Sequence, residues 1–160
     1  MGSTLTVDNI VGATTAANVK LPAGCVLQTV SANGGNSAVS FTGSTFTDIS
    51  LSASITPKYA TSKILVKFNF VSASNNGSGG SYQNKARILR GSTNIYEVGR
   101  APWGNSVSGI GQMLSLEYMD SPNTTSSVTY ALYFKTHNSN TVYANISNSQ
   151  SLNTGYSIYI

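Results

Sequence analysis

From Thr45 onward the chain switches between short runs of alternating apolar residues and short runs of Ser, Asn, Gly and Thr, and it never settles into a helical period. Alternation with a period of two buries one face of a strand, and turn-rich punctuation every 8–12 residues or so is the rhythm of many short strands. The pattern predicts an all-β chain, an antiparallel β-sandwich with jelly-roll-like connections and almost no helix. Strands are expected at Cys25 to Val30, Phe46 to Ile55, Lys63 to Val71, Gln83 to Leu89 and Ile95 to Val98, with a tight turn at Gly91-Ser92-Thr93 between the last two. Four more follow at Gln112 to Met119, Val128 to Phe134, Val142 to Ile146 and Tyr156 to Ile160. Inward series such as Ile49, Leu51, Ala53, Ile55 and Ile64, Val66, Phe68, Phe70 mark the core face.

A chain of 160 residues is one domain of ordinary size with room for a short appendage. Five carboxylates, one histidine and one cysteine leave few parts for an active site, so no enzyme, cofactor or metal centre is expected and function is sought in surfaces and assembly. Glycoside hydrolysis needs two facing carboxylates, and Asp48 and Glu97 sit on strands whose pairing the sequence does not reveal. Cys25 reads as a small buried or semi-buried hydrophobe in a chain made in a reducing cytoplasm. No run is apolar enough for a secretory or transmembrane helix, so no membrane insertion is expected. The net charge of +4 is modest. Lys63, Lys67, Lys85, Arg87, Arg90 and Arg100 offer a basic patch for a polyanion; the ordinary reading is lysines solvating outer strand faces, and no nucleic-acid motif accompanies them.

Residues 1–24 differ from the rest, with one brief alternating piece, Leu5, Val7, Ile10 and Val11, and then small residues up to Pro22-Ala23-Gly24. They cannot form a core alone and are read as an N-terminal attachment and trimerisation stem that docks through those four side chains, ahead of a head domain at 25–160. On the body, Leu65, Ala131, Tyr133, Tyr143 and Tyr159 fall on the parity facing away from the core. A second apolar face points to a subunit interface, with Leu65, Tyr133, Tyr143 and Tyr159 as its candidates in a homotrimer. If the strands alternate up and down, the loops at 32–44, 72–82, 99–111 and 136–140 lie opposite the stem, and those at 56–62, 91–93, 120–127 and 147–154 lie beside it. The far set holds Trp103, Arg100, Tyr82 and His137, a candidate receptor-binding group of aromatic platforms and polar contacts for a host glycan or protein. Each has a plainer alternative: Trp103 as a plug of the sandwich end, His137 as a turn residue, Tyr82 as the last inward residue before a strand.

The opening Ser3-Thr4-Leu5-Thr6-Val7-Asp8-Asn9-Ile10, the junction Leu21-Pro22-Ala23-Gly24-Cys25-Val26-Leu27-Gln28, the pair Ile55-Thr56-Pro57 and Ser62-Lys63-Ile64-Leu65-Val66, and Asp120-Ser121-Pro122 before the Tyr130 strand carry a resemblance. Over nearly the whole chain they resemble the short structural fibre proteins of tailed bacteriophages, marine and cyanobacterial ones especially. The resemblance implies a virion component made in the host bacterial cytoplasm, an N-terminal attachment segment on tail or baseplate proteins, and a trimeric body similar to the C1q and tumour-necrosis-factor jelly rolls. A tail fibre with host-contacting loops is the first expectation and a head fibre or capsid decoration protein the second.

Overall fold

The computed structural model describes residues 25–33, 39–74, 84–101, 111–136, 141–144 and 157–159. Among them are ten strands and no helix: β1 (Ser31–Asn33), β2 (Val39–Thr42), β3 (Thr47–Ile55), β4 (Ile64–Ser74), β5 (Asn84–Arg90), β6 (Thr93–Ala101), β7 (Gly111–Asp120), β8 (Val128–Lys135), β9 (Thr141–Ala144) and β10 (Ser157–Tyr159). All pairings are antiparallel. One sheet has the order β3-β8-β5-β6. In the other, β4 pairs with β7 along one edge and with β10 and β9 along the opposite edge, and β1 and β2 add outside those.

The register makes β9 and β10 one interrupted strand. Ser157 stands opposite Asn69 and Ala144 opposite Ser72, so both run the same way along β4, with 145–156 connecting them. β1 and β2 follow each other likewise along β10 and β9. Each interrupted pair thus fills a single column, and two four-column sheets face each other in the connectivity of an eight-stranded jelly roll. The expected fold class holds.

Why these segments pair is visible in their burial. β3 buries every second residue, Ile49, Leu51, Ala53 and Ile55, and β4 buries Ile64, Val66, Phe68 and Phe70. They meet Ala86 and Ile88 of β5, Leu116 of β7 and Tyr130, Leu132 and Phe134 of β8 in one core. Phe70 and Phe134 meet edge to face across the two sheets, 5.1 Å between ring centroids, the geometry that aromatic quadrupoles favour. Tyr96 and Tyr118 stack at 5.2 Å where β6 comes against β7. The β5–β6 hairpin turns on Gly91 and Ser92, and the positive φ of 57° at Gly91 is the first-position requirement of a Gly-X two-residue loop.

Several expectations need correction. Cys25 to Val30 is no strand: Val26 is 79% exposed, and sheet pairing starts only at Ser31, opposite Tyr159. Alternation alone does not make a strand where no neighbouring edge reaches it. Cys25 is accordingly exposed rather than semi-buried. The expected loop at 32–44 contains most of β1 and all of β2, β4 continues to Ser74, and β6 runs past Gly99 to Ala101. The last two strands do not reverse at 147–154 but lie in line along β4, so that segment is not a turn between up and down strands. The stem at 1–24 lies outside the described residues.

Candidate binding surfaces

The connections after β2, β4, β6 and β8 leave the sandwich at one end, and those after β3, β5 and β7 leave at the other. The ends expected for 72–82, 99–111 and 136–140, and for 56–62, 91–93 and 120–127, therefore match the connectivity, whereas 147–154 joins two in-line strands and 32–44 holds β2 and most of β1. Trp103, Tyr82 and His137 themselves lie outside the described residues, and of Arg100 only the backbone, within β6, is described. Leu5, Val7, Ile10 and Val11 are likewise outside them.

Both ends carry polar fastenings. At the first, the Thr136 amide and hydroxyl donate to the Gly43 carbonyl at 3.1 and 3.0 Å, and the Gly43 amide donates back to Thr136 Oγ1 at 3.1 Å. Gly43 holds a φ of 107° there, open to glycine and strained for other residues. At the opposite end Asp120, 6% exposed, accepts from Arg90 Nη1 at 3.0 and 2.9 Å and from the Tyr130 hydroxyl at 2.7 Å. Asp120 belongs to β7 and its two donors to β5 and β8, so this contact bridges the sheets. Burial, and then the bond to Asp120, push the Tyr130 hydroxyl well above the usual tyrosine range.

The four candidates for a subunit interface divide between two faces. Leu65, 49% exposed, stands opposite Met119, 53% exposed, on the outer face of the β4–β7 pair. By register Tyr159, opposite Lys67, and Tyr143, opposite Ala73, occupy that same face. Tyr133 does not: it lies on β8, opposite Asp48 and Arg87, on the outer face of the other sheet. Parity tells inside from outside but not which outside.

That second face holds the densest side-chain chemistry among the described residues. Arg87 donates to Glu97 Oε2 from Nη2 at 2.7 Å and from Nε at 3.2 Å, while Lys85 donates to Oε1 at 3.1 Å. These bonds, Arg87 first, hold the Glu97 carboxyl below the usual range. The Arg87 guanidinium also lies 3.8 Å from the centre of the Phe46 ring, with Lys135 Nζ at 4.8 Å. The basic patch expected from sequence is thus divided: Lys67 pairs with Glu117 and Lys63 donates to Ser121 on one side of the molecule, and Lys85 and Arg87 belong to the other. Lys135 and Phe46 were missed, because their nearness to Lys85 and Arg87 depends on β8 lying between β3 and β5. Asp48 and Glu97 occupy one row of the sheet with two strands between them, about 14 Å at ordinary strand spacing. A glycosidase pair spans roughly 5–9.5 Å.

A chain in the structure of the infectious bursal disease virus Gt strain overlays all of this chain, with a TM-score of 0.51 and 11% identity. The fold is an antiparallel jelly roll. This chain corresponds to 38% of that chain's length, and at such identity the likeness concerns the fold alone. The VP2 subviral particle of infectious bursal disease virus is matched over 82% of this chain and 36% of that one, with a TM-score of 0.46 and 12% identity. No protein-family model matches the sequence, and a search of curated proteins finds no match either.

Proposed function

We propose that this jelly roll is a virion structural protein, a short homotrimeric tail fibre whose stem docks on the tail or baseplate and whose far loops meet the host surface. The observation that carries this reading is the division of the loops: the chain enters β1 from the side of the β3–β4, β5–β6 and β7–β8 connections, and the segments bearing Trp103, Tyr82 and His137 leave at the opposite end. Attachment and recognition then occupy opposite ends of a rigid body. The exposed Leu65–Met119 pair, with Tyr143 and Tyr159 on the same face, supports burial against neighbouring copies. The fold's occurrence in a virus particle favours a second reading, a head fibre or capsid decoration protein.

Gold-labelled antibody against this chain on intact particles separates the two. Label at the tail supports the fibre, label on the capsid supports the second reading, and unlabelled particles overturn both. Light scattering should give a trimer mass, and Leu65→Asp should lower it to that of a monomer.

A further inference from the structure

Lys85 and Lys135 stand directly opposite each other on β5 and β8, with Arg87 next along β5. Like charges facing each other across strands destabilise a sheet. One carboxylate, Glu97, serves Lys85 and Arg87, while Lys135 reaches only the Phe46 ring among the described residues. Arg87 bonds through Nε and Nη2, leaving its Nη1 without a partner among them. The arrangement is a positive row of three cations against one carboxylate, held in place by Glu97 and Phe46.

The described residues of a second copy are a poor source of a further anion. Of the five carboxylates in the chain, Glu97, Glu117 and Asp120 are ion-paired, Asp48 accepts from the Ser50 amide, and Asp8 lies outside the described residues. An extended acidic peptide is disfavoured because β8 and β5 are interior strands with no free edge to pair. A nucleobase finds the Phe46 ring already covered by Arg87. What continues the face beyond the half-buried Tyr133 is a set of exposed hydroxyls, Ser52, Ser54 and Thr129. Hydroxyls beside an aromatic edge and a cation row suit a sugar chain that carries charge.

We propose that the outer face of the β3-β8-β5-β6 sheet binds an acidic polysaccharide, with a sugar carboxylate between Lys135, Lys85 and Arg87. This site lies on the outer face of the sheet, at the end where the connections after β4 and β8 leave, and stands whether the chain sits on tail or capsid.

Titration calorimetry of the full chain with polygalacturonate, dextran and poly-L-glutamate tests it. Polygalacturonate should bind, more weakly as salt rises, and the Lys85→Gln/Lys135→Gln double variant should lose at least tenfold in affinity with its melting temperature unchanged or raised. Lys63→Gln, on the other side of the molecule, should bind as the parent does. Absence of polygalacturonate binding, equal binding of dextran, or an unchanged affinity in the double variant would each overturn the site. Equal or tighter binding of poly-L-glutamate would overturn its assignment to a saccharide.

Discussion

A buried carboxylate has to be answered by donors, and Asp120 is answered by two residues from the opposite sheet. Removing Arg90 while keeping Asp120 leaves a charge with one neutral donor in a nearly dry place, so Arg90→Ala should cost about 3 kcal/mol in urea unfolding. Tyr130→Phe removes one bond to a charged group and should cost about 1.5–2 kcal/mol. The two substitutions share an acceptor and will not add. Tyr130 also gives an alkaline signature. Its proton is held more tightly in the folded chain than in the unfolded one, so its contribution is intact below the ordinary value of 10.0 and is lost as pH rises above that. Tyrosinate absorbance should therefore show one residue ionising together with unfolding, and Tyr130→Phe should remove that component.

Among the strands, β3 contains a defect with a local cause. Its register to β8 shifts between Asp48 and Ser52, and Ser50 sits in the bulge at a φ of 59° with its amide bonded to Asp48 Oδ1 at 2.7 Å. An L-residue pays about 1–2 kcal/mol for that conformation, which glycine avoids at some cost in unfolded-chain entropy. Ser50→Gly should thus raise stability by about 0.5 kcal/mol, and Ser50→Val should lower it, by the midpoint of urea unfolding. The bulge could not be read from sequence, since Ser50 keeps the alternation that defines the strand. β3, β4, β5 and β8 were legible because one face of each meets the core, and period two records that face. β1 and β2 were not, because Ser31 to Asn33 and Val39 to Thr42 pair as fragments whose neighbours are equally short. The β9–β10 column was misread because its break resembles an ordinary turn. Two residues are enough to bridge the register from Ala144 to Ser157 along β4, so replacing 145–156 by Gly-Ser should preserve the far-ultraviolet β spectrum.

At the scale of the molecule, a strand far along the chain lies inside a sheet: β10 separates β1 from β4. Deleting 157–160 would strip β4 of a neighbour and leave β1 unpaired, so the shortened chain should lose its sharp thermal transition and aggregate. The same interleaving explains what sequence could say about the candidate sites. Outward parity was correct for Leu65 and Tyr133, whereas their division between two faces is a property of strand order, as is the meeting of Lys85 with Lys135. The fastenings at the two ends, Gly43 with Thr136 and Asp120 with Arg90 and Tyr130, act like clasps on a closed book. Sequence change outside the clasps can be exchanged wholesale without disturbing the pages within, which gives such a body the means to change what it touches while its interior stays constant.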